Sequence, residues 1–150
     1  MKRSQELIAL TREHHAALVL ARRAIVTPRD TPQAVELAVA LPQIFARELA
    51  PHFLIEEQKL LPPLRDAGQP ALATRTLDQH RQLRALTQAI GEGDVAGLVS
   101  FGLLLEAHVR FEERELFPLA ETILPAEALA AVAAGVAAKP RQHKLTTRGA

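Results

Sequence analysis

One pattern occurs twice in the chain, and it restricts the fold more than any other feature. The segment His52 to Pro62, HFLIEEQKLLP, matches His108 to Pro118, HVRFEERELFP, at the histidine, both glutamates, a leucine and the proline. In each copy the histidine and the first glutamate are four residues apart. On an α-helix, side chains at that spacing share one face and lie about 6 Å apart along the axis. An imidazole and a carboxylate placed this way can reach the same ion, so a fold that turns both faces inward could build one site from two helices.

The rest of the chain supplies helices to complete such a fold. Leu7, Leu10, His14, Leu18, Ala21 and Ile25 recur at steps of three and four, which predicts an amphipathic helix from about residue 4 to 26. Pro28 closes it. Thr31 followed by Pro32 is an N-cap with proline in the first helical position, opening a second helical region that runs to Pro62 and Pro63. Pro42 and Pro51 each remove a backbone donor within it, so a kink or restart is expected just before His52.

Gly68 and Pro70 mark the next turn, and Leu72, Leu77, Leu83, Leu86 and Ile90 predict a third helix that ends at Gly91 to Gly93. With Asp94 as its cap, a fourth helix is expected from about Val95 to Ala120, and a short Ala-rich one from Pro125 to about Ala138. No stretch alternates with period two. The expected fold is all-α: an up-down antiparallel four-helix bundle with a short additional C-terminal helix, spanning residues 1–138. Residues 139–150, with Lys139, Arg141, Lys144 and Arg148 and no acid, form an expected flexible basic tail.

Two further histidines complete a constellation. His14 lies seven residues after Leu7 on the first apolar stripe, and His80 lies between Leu77 and Leu83 on the third. A lone His/Glu pair on a helix is usually a surface ion pair, and a lone histidine on an apolar stripe is usually a hydrogen-bonded core residue. Four inward histidines with two carboxylates are different, because burying them without a metal carries an uncompensated desolvation cost of several kcal/mol. The candidate metal ligands are His14, His52, Glu56, His80, His108 and Glu112. Nitrogen and oxygen donors without thiolate suit Fe, Mn or Zn, and six are too many for one tetrahedral zinc. Two metals bridged by Glu56 and Glu112 would use all six.

Composition narrows the alternatives. The chain has 150 residues, 48% of them hydrophobic, enough for one domain with a core. It has no cysteine, so disulfides, zinc-thiolate sites and iron-sulfur clusters are excluded. The first residues contain no apolar run of signal-peptide length, and no segment reaches the ~20 apolar residues of a membrane span. A cytoplasmic protein without membrane contact is expected. A net charge of +1, with no Trp or Tyr, gives no reason to expect nucleic acid as a partner. Hydrolase, P-loop and dinucleotide motifs are missing, and the Glu-x-x-His order of ferritin-like carboxylate enzymes does not occur.

Over about residues 4 to 120, this arrangement resembles the hemerythrin-like, or HHE cation-binding, family. The likeness rests on Glu13-His14, on His52 with Glu56 and Glu57, on His80, and on His108 with Glu112. It implies a four-helix bundle around an oxo- or hydroxo-bridged pair of iron ions, with zinc or manganese as possible substitutes. It also implies a small ligand such as dioxygen or nitric oxide, bound or sensed. The oxygen carriers of that family have a fifth histidine four residues after the one on the third helix. Arg84 stands there in this chain, and a guanidinium cannot bind metal. Reversible oxygen carriage is therefore less strongly implied than metal binding. A metal-dependent sensor or interaction module with an unnamed protein partner, iron handling, and weak oxidase or peroxide-reducing activity remain open. Glu57, Glu113 and His15 are read as surface groups that could substitute as ligands, and His143 as an exposed tail residue.

Overall fold

The computed structural model describes residues 3–138, and the regular elements among the described residues are all helices. These are α1 (Ile8–Val26), α2 (32–66), α3 (Pro70–Gly91), α4 (97–123) and α5 (Ala126–Ala138). The expected tail with His143 lies outside the described residues. Thr31 starts α2 as its sequence predicts, its hydroxyl accepting from the Ala34 N–H at 3.2 Å with Pro32 next to it. Gly68 (φ 88°) and Gly93 (φ 119°) take the left-handed conformations that end α2 and α3. No described helix is long and apolar enough to cross a membrane.

Several expected boundaries move. Before α4, the backbone carbonyls of Asp94 and Val95 accept from Gly97 and Leu98, so helix geometry begins at Gly97 rather than under an Asp94 side-chain cap. The helix then runs past Ala120 to Ile123. α2 leaves regular geometry just before His52, where a kink or restart is expected, in a π-turn; the larger correction is that it does not stop at Pro62 and Pro63. It continues to Asp66 because wide π-turns precede two of its prolines. Phe45–Leu49, Glu56–Leu60 and, in α4, Glu112–Leu116 are each π-helical.

The last N–H of each wide turn, on Ala50, Leu61 and Phe117, donates five residues back to Phe45, Glu56 and Glu112. Pro51, Pro62 and Pro118 come immediately after, where a regular helix would need the missing donor and would press the ring on a carbonyl. The wide turn absorbs both problems. It also keeps the buried stripe in line. Four-residue steps such as His52, Glu56, Leu60 and Leu64 would drift by roughly 120° on a regular helix, and one extra residue in a turn cuts that to roughly 20°.

The inward stripe of α1 also differs from its prediction. Leu18 is exposed, and the inward stripe runs through Leu7, Leu10, His14, Ala17, Ala21 and Ala24 in steps of three and four, with Leu20 buried beside it. The same spacing on α3 buries Ala73, Thr76, His80, Leu83, Thr87 and Ile90. Ala21 and Ala24 are small where α4 comes very close. A Cβ on Gly102 would lie 2.6 Å from the Ala21 carbonyl oxygen and 2.7 Å from Ile25 Cγ1. Gly102→Leu is expected to lower stability by about 3 kcal/mol through overpacking, despite roughly 1 kcal/mol gained in helix propensity. A thermal midpoint equal to that of the parent protein would show that the α1–α4 contact can open at no cost.

The apolar core divides into two clusters. One contains Leu20, Leu37, Leu41, Leu83, Phe101 and Leu105, and the other Leu7, Leu10, Leu60, Leu64, Leu116, Phe117 and Val132. α5 contributes Leu129 and Val132 to the second, lying along the middle of α2 with Gly135 against Ile55 and Lys59. On each of α1 to α4, the buried histidine or His/Glu pair falls where one cluster gives way to the other.

Candidate metal centre

Between the two clusters the bundle buries His14, His52, Glu56, His80, His108 and Glu112, each 4% exposed or less. α1 and α3 contribute one histidine each, while α2 and α4 contribute the His-x-x-x-Glu pairs, whose glutamates open the wide turns. The donor atoms form two groups, His14–His52–Glu56–Glu112 and Glu56–His80–His108–Glu112, within each of which they lie no more than 4.8 Å apart. Both glutamates belong to both groups. This is the set the sequence singles out.

The four imidazoles all present Nε2 to the interior. His14 Nε2 is 2.9 Å from Glu112 Oε1, and His80 Nε2 is 3.0 Å from Glu56 Oε1. His52 Nε2 lies 2.9 Å from Glu56 Oε2, and His108 Nε2 lies 3.2 Å from Glu112 Oε2. Those last two distances are short, yet neither pair has hydrogen-bond alignment, and all four atoms are buried without a hydrogen-bond partner. Buried polar atoms left in this way are costly, and an ion that accepts several donors at once would satisfy them together. The residues fit a metal.

The outward edge of each imidazole is held as well. Nδ1–H of His14 donates to Glu113 at 2.6 Å, that of His52 to Glu13 at 2.8 Å, that of His80 to Glu57 at 2.6 Å, and that of His108 to Gln79 at 2.6 Å. Such acceptors fix the ring and turn the Nε2 lone pair toward an ion. Sequence reasoning missed this ring of acceptors. Glu57 and Glu113, expected to be solvated charges or substitute ligands, are instead half-buried partners of histidines on neighbouring helices. Arg84 donates to Glu57 at 2.9 Å, and Arg3 with Thr11 donates to Glu113. His15 is exposed, as expected.

Aromatic rings complete the walls. Phe53 stacks on His80 with centroids 3.8 Å apart, and Phe117 stacks on His14 at 5.4 Å. Arg84, in the position of the missing fifth histidine, turns toward Glu57 with its guanidinium 5.7 Å from the Phe53 ring.

Without a metal, neighbouring groups of opposite charge favour the ionised forms of His14, His52, His80 and Glu112. Burial opposes the charge on His14, but hydrogen bonds to Glu112 and Glu113 raise its pKa from 6.5 to about 9. Burial likewise opposes His80, and Glu56 and Glu57 bring it up to about 8. His52 rises well above its ordinary value against its own desolvation, drawn by Glu56 and Glu13. Desolvation works against ionised Glu112 and Glu57 too. The charge on His108 holds Glu112 well below the usual carboxylate range, and His80 with Arg84 holds Glu57 at about 2.

The sign of the pH dependence follows from these directions. Raised histidines stabilise the folded chain below pH 6.5, and that stability is lost as pH climbs through about 8 and 9. The loss amounts to about 3 kcal/mol for His14 alone. Lowered carboxylates stabilise it above pH 4.5 and fail as pH falls toward 2. Chelator-treated protein should therefore melt at a steadily lower temperature from pH 6.5 to 9, whereas metal-loaded protein should not, since metal takes the neutral imidazoles. A flat or rising midpoint for the metal-free chain over that range would contradict the charge assignment.

A helical bundle that encloses four histidines and two carboxylates, with no thiolate, defines a non-haem cation-binding class of protein. The family model of the Hemerythrin HHE cation binding domain matches residues 6–120, and the chain belongs to that family. No curated protein and no solved structure matches the chain.

Proposed function

We infer that the chain holds a pair of iron ions, one between His14 and His52 and the other between His80 and His108, with Glu56 and Glu112 shared. The observation that carries this reading is the pair of donor groups with both carboxylates in common. An up-down arrangement of α1 to α4 is part of it. That arrangement is supported by the short connections 27–31, 67–69 and 92–96 and by the order of the clusters, since α1 and α3 pass from the second to the first while α2 and α4 pass from the first to the second. A cytoplasmic setting also belongs to it, on the cysteine-free sequence.

When bound, the metal pair would supply redox chemistry and a coordination position for a small ligand such as dioxygen or nitric oxide. The protein's part is to orient and to exclude water. The outward acceptors keep each Nε2 inward, while Phe53, Phe117 and the two aliphatic clusters surround the centre. A narrow cleft past Glu13, Glu48 and Leu105 reaches His14, His52 and His108, with about 10 Å³ of room, close to that of one water molecule. Its size favours a diatomic over any organic substrate. Reversible oxygen carriage is left out of the proposal, because Arg84 occupies the position of a fifth ligand.

Anaerobic addition of Fe(II) followed by air should load two irons per chain and produce the near-ultraviolet charge-transfer absorption of a coupled ferric pair. Uptake of a single iron by a chain that stays colourless overturns the two-metal reading. Metal content of the protein isolated from its native host separates iron from zinc or manganese as the resident ion.

A further inference from the structure

The centre is nearly symmetric, and its main departure from symmetry falls on the residue just before a candidate ligand. α1 and α3 match each other in His14 and His80, and α2 and α4 match in His52 and His108, in Glu56 and Glu112, and in Glu57 and Glu113. Glu57 and Glu113 play the same part, each accepting from a histidine of the neighbouring helix and from an arginine. The residues before His14 and His80 also play the same part, accepting from His52 and His108, but one is Glu13 and the other Gln79.

An ionised carboxylate is the stronger acceptor, with charge-assisted hydrogen bonds roughly twice as strong as neutral ones, and it raises the basicity of the imidazole that donates to it. The amide of Gln79 gives His108 no such increase. The two halves share both glutamates and each has two imidazoles, so the inner donors do not distinguish them. The acceptors behind His52 and His108 do.

We propose that the two metal positions are unequal by construction, the His14–His52 half binding its ion more tightly than the His80–His108 half because Glu13 backs one and Gln79 the other. The inference rests on the two-metal reading above. Glu13 and Gln79 are positioning residues that set the order of loading. The cleft that passes Glu13 reaches His14 and His52 of the tighter half and His108 of the other.

The test uses the full chain with ¹⁵N-labelled histidine and zinc alone, which keeps the centre diamagnetic. At one zinc per chain, the Nε2 signals of His14 and His52 should shift first, with those of His80 and His108 following in the second equivalent. Removing zinc from the loaded protein with chelators of graded strength should reverse that order. Substitutions of outer hydrogen-bonding partners typically change metal affinity by roughly tenfold or more. Glu13→Gln should therefore weaken the first step by roughly that factor, and Gln79→Glu should strengthen the second. The double exchange, which conserves composition and side-chain size, should send the first zinc to His80 and His108. Parallel movement of all four histidines in the parent protein, or an order that ignores the exchange, overturns the inference and leaves the two-metal reading standing. If none of the four moves at two equivalents of zinc, both fall.

Discussion

Glu112→Ala is expected to reduce metal content from two ions per chain to one or none, and to destabilise the metal-free protein more than Glu56→Ala does. The difference follows from reach. Glu112 oxygens lie 2.9, 3.8, 4.0 and 3.2 Å from Nε2 of His14, His52, His80 and His108, whereas Glu56 is within 3.0 Å of His52 and His80 alone. Removing a shared carboxylate takes a donor from both metal positions at once. In the metal-free chain it also strips buried imidazolium of its counter-charge, a loss of about 3–5 kcal/mol when one partner of a buried ion pair is deleted. Metal analysis after dialysis and urea melts of chelator-treated protein read the two effects separately. The stability penalty should shrink toward pH 9, where His14 and His80 become neutral. Two metals retained by both variants would refute the shared role of these carboxylates.

Much of this centre is legible in the sequence because the ligand pattern is local. A His-x-x-x-Glu pair falls on one helical face whatever the rest of the fold does, and its repetition at His52 and His108 shows that the spacing is not accidental. The acceptors behind the imidazoles are not legible in the same way. Glu57 meets His80 on another helix, and Glu113 meets His14, so their partners depend on how helices are placed against one another. Two signals pointed to them: the second glutamate of each repeat, and the equal placement of Glu13 and Gln79 before a histidine. On α1 the four-residue step from His14 to Leu18 predicts a core position, but the buried stripe steps by three to Ala17, and Ala21 and Ala24 are buried where the approach of Gly102 leaves room only for small side chains.

Deleting Arg114 is expected to lower the thermal midpoint by roughly 10 °C, although the residue is exposed and its side chain carries no part of the site. Prolines in the interior of a sequence normally argue for a helix stop, which is why α2 was expected to end at Pro62. The repeat carries its proline six residues after the inward glutamate in both copies, and the wide turn fills that interval. Removal of one residue returns the turn at Glu112–Leu116 to regular geometry, which sweeps the same angle with one residue fewer and keeps the facing of everything beyond it. It also places Pro118 against the carbonyl four residues earlier and leaves that carbonyl without a donor. Leu116, Phe117 and Ala120, all 0% exposed, stay on the buried face, so the proline carries the penalty. A proline forced into a regular helix interior costs about 3 kcal/mol, a large share of the roughly 5–15 kcal/mol stability of a typical domain. Arg114→Ala, which keeps the register, should change the midpoint by no more than a few degrees. Circular dichroism melts of the two variants decide the matter: equal midpoints would mean that the wide turn is dispensable and that the proline repeat needs another explanation.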